Sequence, residues 1–398
     1  MLAFLAAVRY RFPSKELVVI AITGTKGKTS TSELINAIFE EAGYSTALLN
    51  TVRFKIGTRT TSNLLKMTMP GRFFIQRFLR DARSFGCTHA IIEMTSEGAR
   101  QYRHRFIDLD ALVFTNIAPE HIESHGSFEN YLAAKLSLAH ALGKSSKQNR
   151  VVVANTDDPH GKKFLAIAVP CKISFSLSDA APYTLHKNGV SLSFCGVPME
   201  SSDPGIITIY NILAAASLAA AYSISPVTIK KAVEAFKGTR GRLEKIAVGQ
   251  KFPVIIDYAH TLDSLRGVYE AFSGKKRVCV FGSTGGGRDV WKRPKMGALA
   301  DKYCDTILLT NEDPYDEDPE KIVHDVAAGI QTHIPIIEMD RRKAIHKGLE
   351  CADENSIVII TGKGTDPYIM GRDGKKEPWD DASVAREELQ SLLKNKNL

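Results

Sequence analysis

Gly24, Gly27, Lys28 and Thr29 fall within Thr23-Gly24-Thr25-Lys26-Gly27-Lys28-Thr29-Ser30, a run that combines glycines with a lysine and hydroxyl side chains. Such a run suits polyphosphate. Glycines let backbone N–H groups approach phosphate oxygens, a lysine at position 28 would reach the terminal phosphates, and the Thr29 hydroxyl would face Mg²⁺. A common Walker sequence would carry glycine where Ile22 stands, which disfavours a generic P-loop GTPase. Glu93 follows the apolar run Ala90-Ile91-Ile92, His121 ends Thr115-Asn116-Ile117-Ala118-Pro119-Glu120-His121, and Lys135 ends Tyr131-Leu132-Ala133-Ala134-Lys135. A carboxylate and a histidine at strand ends beside a phosphate loop are the ingredients of metal-assisted nucleotide chemistry.

The elements that must position these residues are legible as alternating patterns. Residues 17–22 are apolar and β-branched, and 30–42 carry Leu34, Ile35, Ile38 and Phe39 at helical spacing, so the glycine run joins a buried strand to a helix. Further apolar runs at 47–49, 90–92, 111–114 and 151–154 alternate with helix-length segments, the signature of a mostly parallel α/β sheet. Residues 171–209 read as a small antiparallel excursion with a turn at Lys187-Asn188-Gly189, and 210–222 as an alanine-rich helix opened by Asn211. A basic, glycine-containing turn at 237–242 precedes a fresh series of strands at 254–256, 278–281, 306–309 and 357–360. The expected fold is therefore α/β: a P-loop-containing, mostly parallel central sheet in residues 1–238, followed by a Rossmann-like α/β domain in residues 239–398.

Composition bounds the alternatives. With 398 residues, 24% charged and 44% hydrophobic, the chain is an ordinary globular sequence long enough for two or three domains. Its net charge of +8 is spread over the chain, with only short pairs such as Lys275-Lys276 and Arg341-Arg342, and reads as surface charge suited to a polyanionic substrate. No aromatic-basic platform accompanies it, so nucleic acid is not an expected partner. Residues 1–8 are apolar but too short to span a membrane, so no membrane partner is expected and the cytoplasm is the expected location. Cys87, Cys171, Cys195, Cys279, Cys304 and Cys351 lack any metal-ligand spacing and are expected to be reduced thiols.

The phosphate loop, Glu93, His121 and the Tyr-x-x-Ala-Lys segment together resemble the middle domain of the Mur ligases. This superfamily of ATP-dependent amide-forming enzymes includes the cell-wall peptide ligases and the folylpolyglutamate synthases. The resemblance implies that Gly24, Thr25, Lys26, Gly27, Lys28, Thr29 and Ser30 hold ATP, and that Thr29, Glu93, His121 and Lys135 form a Mg²⁺ site. It also implies that carbon dioxide carbamylates Lys135. A free ammonium there would add like charge beside divalent cations, whereas the carbamate inverts the sign. Asn211, the Gly241-Arg242-Leu243-Glu244 turn and the Asp257-Tyr258-Ala259-His260 segment resemble family elements around adenine, ribose and phosphates. Arg242 is implied to reach the γ-phosphate from the second domain. Lys28, His121, Lys135 and Arg242 are the implied catalytic residues.

The glycine-rich stretch 281–289 with Lys292-Arg293-Pro294 is similar to the branch that adds the third residue of the peptidoglycan stem, the MurE branch. Thr68, Ser96 and Arg103 match its acceptor positions. Arg288, Glu312, Asp313, Tyr315, Gly362 and Asp366 fall where that branch selects its amino acid. Tyr315 stands where members using diaminopimelate carry arginine, Thr365-Asp366 replaces His-Glu, and Met69 replaces a threonine. Losing that arginine removes a bidentate partner for a distal carboxylate. The carboxylates of Glu312, Asp313 and Asp366 suggest instead a cationic side chain such as lysine or ornithine; the competing reading is that they take the α-amino group or are solvated. Members of the branch begin with a UDP-binding domain that this sequence is expected to lack, which leaves the acceptor's carrier open and makes a separate UDP-binding subunit a candidate partner.

The expected activity is ATP-dependent, Mg²⁺-dependent addition of an amino acid to a muramoyl-peptide-like carboxylate acceptor through an acyl phosphate, in peptidoglycan stem-peptide synthesis. Two alternatives stay open: a cyanophycin-synthetase-like or folylpolyglutamate-synthase-like ligase with another acceptor, and a non-catalytic nucleotide-binding regulatory subunit.

Overall fold

The computed structural model of the chain describes every residue except 121, 187, 188, 288, 397 and 398. The backbone forms two compact units, Met1–Lys237 and Gly238–Leu398.

The first unit is built on an eight-stranded sheet. Its strands are β1 (Val18–Thr23), β2 (Thr46–Leu49), β3 (Arg53–Ile56), β4 (Arg59–Ser62), β5 (His89–Glu93), β6 (Ala111–Phe114), β7 (Val151–Asn155) and β8 (Cys171–Phe175), in the order β4-β3-β2-β5-β1-β6-β7-β8. All neighbours from β2 to β8 pair in parallel, and β3 and β4 add an antiparallel edge. Alternation along β1 explains its unbroken hydrophobicity. Val19 and Ala21 enter one core with Ile92, Leu112 and Phe114, while Ile20 and Ile22 enter the other with Ile91, Val113 and Val153. The helix Lys28–Glu41 continues directly from the glycine run and buries Leu34, Ile35, Ile38 and Phe39 in the second of these cores, where it meets the helix Ile206–Ala221.

Three local expectations are corrected. Residues 171–175 form a parallel edge of the main sheet, because Cys171 through Phe175 register against Val151 through Asn155. The antiparallel excursion begins only afterwards, as β9 (Thr184–His186), β10 (Gly189–Phe194) and β11 (Val197–Ser201). Lys187 and Asn188 of its expected turn lie outside the described residues. The alanine-rich helix starts at Ile206, since Ile209 already belongs to the core, so Asn211 sits in its second turn and does not open it. The β3–β4 hairpin went unforeseen because both strands are only four residues long, β3 interleaves Phe54 and Ile56 with charged residues, and β4 is polar and exposed throughout.

The second unit carries a six-stranded sheet of β12 (Glu244–Ile246), β13 (Val254–Asp257), β14 (Lys276–Phe281), β15 (Thr306–Leu309), β16 (Ile336–Ile337) and β17 (Ser356–Thr361). Their order is β12-β13-β17-β14-β15-β16, and only β12 runs antiparallel to its neighbour. The late strand β17 lies between β13 and β14, so Asp257 and the loops that leave β14, β15 and β17 share the carboxyl edge of one sheet. The two sheets and their flanking helices bear out the expected α/β class.

Two readings of composition also change. Cys279 on β14 and Cys304, at the end of the helix Arg293–Tyr303, are joined by a disulfide, against the expectation of six reduced thiols; the fold brings their Cα atoms to 6.1 Å, which spacing along the sequence does not reveal. Part of the positive charge is internal: Lys55, Lys135, Arg293, Arg341 and Lys363 are buried. Among the described residues, no helix is long and apolar enough to cross a membrane.

Candidate active site

In the first unit the glycine loop is stitched to the loop that follows β6. The Thr25 N–H donates to the Asn116 carbonyl at 2.8 Å and the Lys26 N–H to Asn116 Oδ1 at 2.9 Å, while Asn116 Nδ2 and Thr115 Oγ1 donate to the Lys26 carbonyl at 3.1 and 2.7 Å. Gly24 is required here: a Cβ at this position would lie 2.0 Å from Thr115 Oγ1. Gly27 caps the helix Lys28–Glu41 without a side chain, so no capping carboxylate or hydroxyl covers the positive end of that helix dipole. Lys28 Nζ folds back onto the Thr25 carbonyl at 2.9 Å, and Ser30 lies half-buried in the first helical turn. Asn211 approaches from the helix Ile206–Ala221 and accepts the Thr31 hydroxyl at 3.3 Å.

Thr29 and Glu93, both buried, meet at the ends of β1 and β5: Thr29 Oγ1 donates to Glu93 Oε2 at 2.9 Å. Sequence reasoning missed Thr51, whose N–H and hydroxyl donate to the same oxygen at 3.1 and 3.0 Å and whose hydroxyl also meets Thr68 Oγ1 at 2.8 Å. No motif marks Thr51, because its place depends on the turn between β2 and β3. Thr68 is thereby joined to Glu93 through one hydroxyl.

Lys135 is 2% exposed, and its Nζ donates to the Gly24 carbonyl at 2.6 Å above the Tyr131 ring. Burial first, then the positive charge of Lys28, holds its ammonium well below the usual lysine range, against Glu120 and Glu93. Tyr131, quoted in its motif without a role, bonds Thr25 Oγ1 at 2.9 Å and so supports the phosphate loop. His121 lies outside the described residues. His125 packs edge-on against Tyr131, and burial lowers its pKa. Among the described residues, no group of three or more His, Cys, Asp or Glu side chains is set to hold a metal. The donors that are present nevertheless fit Mg²⁺, which takes oxygen ligands and usually only one or two carboxylates beside phosphate and water: Thr29 and Glu93 supply a hydroxyl and a carboxylate side by side.

Ser96 is buried at the start of the helix Ser96–Arg100, which Thr95 caps by accepting the Gly98 N–H at 3.1 Å. Arg103 donates to Gln101 Oε1 at 2.6 and 3.0 Å and to the Met69 carbonyl, so Gln101, another residue the sequence reading passed over, orients it. Met69 is buried against Gly98, a packing role that accounts for a thioether where a hydroxyl was expected.

In the second unit, both oxygens of Asp257 accept backbone N–H groups, from Leu243 at 2.8 Å and Ala259 at 2.7 Å; burial nonetheless raises its pKa. The Arg242 guanidinium lies 4.3 Å from the Tyr258 ring centroid, and His260 Nδ1 is 2.8 Å from the Tyr258 carbonyl. Beyond them, Glu312 Oε1 accepts the Thr284 hydroxyl at 2.8 Å, while its buried Oε2 has no hydrogen-bond partner among the described residues. Gly362 lies against that oxygen. Lys363, fully buried, donates to Asp313 at 2.8 Å and Asp366 at 3.0 Å. The three carboxylates are therefore not a free acidic excess, because an internal ammonium already serves two of them. Tyr315 is held by its N–H on the Met370 carbonyl at 3.0 Å, and Arg288 lies outside the described residues. Arg341, unsuspected from the sequence, pairs with Asp381 at 2.8 Å and donates to the Asn311 and Thr361 carbonyls, bracing both loops from below.

A phosphate loop feeding a helix, a hydroxyl and carboxylate beside it, and a second α/β unit define a two-part nucleotide-dependent ligase, and the comparisons agree. Residues 22–219 match the Mur ligase middle domain and residues 241–364 the Mur ligase glutamate ligase domain. The chain belongs to the Mur ligase family of ATP-dependent, ADP-forming enzymes, which use Mg²⁺. It is 36% identical to the UDP-N-acetylmuramoyl-L-alanyl-D-glutamate--2,6-diaminopimelate ligase of Syntrophomonas wolfei, over 99% of this chain and 82% of that protein. It is 33% identical to the UDP-N-acetylmuramyl-tripeptide synthetase of a Roseiflexus species, over 98% of this chain and 82% of that one. A solved UDP-N-acetylmuramoyl-L-alanyl-D-glutamate--2,6-diaminopimelate ligase superposes with a TM-score of 0.66 at 27% identity, covering 98% of this chain and 82% of its own. The folylpolyglutamate synthase of Mycobacterium tuberculosis shares the fold, with a TM-score of 0.74 at 16% identity and 91% of each chain covered.

Proposed function

We propose that the chain adds an amino acid to the free carboxylate of a muramoyl-peptide acceptor, at the third position of a peptidoglycan stem. The observation that carries this reading is the Thr29–Glu93–Thr51–Thr68 hydroxyl–carboxylate chain, which joins the end of the phosphate loop to the segment that matches the acceptor positions. The acceptor carboxylate oxygen attacks the γ-phosphorus of ATP, ADP leaves, and the amine then displaces phosphate from the acyl phosphate, losing its extra proton to solvent. Mg²⁺, when bound, neutralises charge on the transferring phosphoryl group. Lys28 and the N-terminus of its helix bind the phosphates, and Thr29 and Glu93, with His121, hold the metal. Asn211, Asp257 and His260 serve the nucleotide, and Arg242 presents positive charge to its phosphates. Thr68, Ser96 and Arg103 orient the acceptor.

Lys135 is proposed to be carbamylated. Only a neutral amine attacks carbon dioxide, and burial, with the charge of Lys28, favours the neutral form of this amine against Glu120 and Glu93. The incoming amino acid is proposed to occupy the pocket of Arg288, Glu312, Asp313, Tyr315, Gly362 and Asp366. Glu312 Oε2 is the buried acceptor there for an ammonium, and Tyr315 offers no bidentate partner to a distal carboxylate. Incubating the chain with Mg-ATP, UDP-N-acetylmuramoyl-dipeptide and single amino acids, and reading product mass, tests the reading. A product heavier by one residue supports it, and ATP binding without any product refutes it.

A further inference from the structure

The proposed chemistry gives Arg242 work at the phosphates and a separate pocket the work of holding the amine. Nothing in that reading says how one is made ready for the other. The residue between them is Tyr258. Its ring carries the Arg242 guanidinium at 4.3 Å, inside the range of a cation–π contact, and its centroid lies 4.8 Å from that of the His260 ring in a T-shaped contact. The arginine turn is rigid: the Arg242 N–H donates to the Thr239 carbonyl at 3.0 Å, the Gly241 N–H to Glu244 Oε2 at 2.7 Å and the Leu243 N–H to Asp257 at 2.8 Å.

The pocket side touches the same residues. A Cβ on Gly364 would lie 3.0 Å from Tyr258 Cβ and 2.9 Å from the Gly241 carbonyl oxygen, and one on Gly241 would lie 2.6 Å from the Thr365 nitrogen. The arginine turn, the Tyr258 backbone and the 363–366 loop are thus in direct contact, with no room for a side chain between them. That loop supplies both Lys363, which bridges Asp313 and Asp366, and Asp366 itself. Burial first, and then the charges of Asp366, Glu312 and Asp313 against that of Arg242, push the phenol's pKa up.

We propose that Tyr258 is a positioning residue that couples the amine pocket to Arg242: its ring carries the guanidinium while its backbone and Cβ pack directly on Gly364, in the loop that supplies Lys363 and Asp366. A bound amine steadies the tyrosine and with it the arginine. Amino-acid binding and phosphate recognition then reinforce each other, and by linkage each tightens the other to the same degree. The coupling rests on the ligase reading given above.

The test uses the full chain, with L-lysine and meso-diaminopimelate each as the amine probe, in steady-state kinetics and in AMP-PNP binding with and without the probe. Tyr258→Phe keeps the platform and loses the hydroxyl. It should raise KM for the amino acid about tenfold while kcat stays within about threefold. Tyr258→Leu loses the platform and should lower kcat by about tenfold or more, and AMP-PNP binding should no longer respond to the probe. A merely structural tyrosine would instead lower Tm and shift all constants together. If Tyr258→Leu fails to fold, the KM-against-kcat split in Tyr258→Phe decides. Wild-type constants and undiminished coupling in the variants overturn the inference alone, whereas a wild type without amino-acid-dependent phosphate release overturns the ligase reading and the coupling with it.

Discussion

Lys135 shows how far a single side chain constrains the chemistry. Its amine is fully buried, and burial together with the charge of Lys28 disfavours the ammonium more than the Gly24 carbonyl, the Tyr131 ring, Glu120 and Glu93 favour it. Carbamylation converts that strained amine into an oxygen donor. We predict that Lys135→Ala abolishes amino-acid-dependent phosphate release and that a short carboxylic acid such as formate partly restores it; full activity in the unsupplemented variant would contradict the carbamate. Lys28→Ala should lower the same rate by about a hundredfold or more with Tm nearly unchanged, since the lysine is half-buried and donates to a loop carbonyl. At this scale the sequence was readable where a residue type announces itself, as with Lys28, Thr29 and Glu93. It was silent on Thr51 and Gln101, which matter only through the partners that the folded loops bring to them.

At the level of elements, the carboxyl edges of two sheets do the positioning. The central strands could be read because both faces of β1, β5, β6, β13, β14 and β17 are buried, which forces continuous apolar runs. The edge strands β3, β4 and β16 could not, because they are short and partly or fully exposed, and their pairing is set by neighbours. Beneath the loops after β15 and β17 the buried Arg341–Asp381 pair locks the helix Asp381–Lys396 to the site, and Trp379 Nε1 donates to the same carboxylate at 2.8 Å. Removing one partner leaves an uncompensated buried charge. Asp381→Ala should therefore destabilise the second unit by about 3–5 kcal/mol, read as a lower urea midpoint in Trp379 fluorescence; an unchanged midpoint would contradict the bracing role.

The whole molecule should respond to acid before its carboxylates titrate. Burial lowers the pKa of both His89 and His104 from 6.5 to about 4; His89 sits among the rings of Phe39, Tyr44 and Tyr222. The unfolded chain takes up these protons near 6.5 and the folded chain only near 4. Stability is complete above the upper value and falls as the pH drops between the two. Tm measured across that window should decline, and replacing both histidines with glutamine should flatten the decline; equal slopes would remove these histidines from the acid response.

The proposed selection of the incoming amino acid also belongs to this scale, because its residues lie in loops that leave three strands, β14, β15 and β17. With Lys363 engaged by Asp313 and Asp366, the proposed site leaves discrimination to Glu312 and Tyr315. Specificity constants should favour lysine or ornithine over diaminopimelate, and Tyr315→Arg should gain diaminopimelate activity. A wild-type preference for diaminopimelate would refute that assignment without touching the ligase chemistry.

The central claim is that the phosphoryl group passes to the acceptor carboxylate before the amide forms, and oxygen transfer tests it most directly. UDP-N-acetylmuramoyl-dipeptide labelled with ¹⁸O in its terminal carboxylate, supplied with Mg-ATP and the preferred amino acid, should deliver one labelled oxygen to each phosphate released. Phosphate that carries no label, released at a rate indifferent to acceptor and amino acid, would mean that the site only hydrolyses ATP and would contradict the assignment.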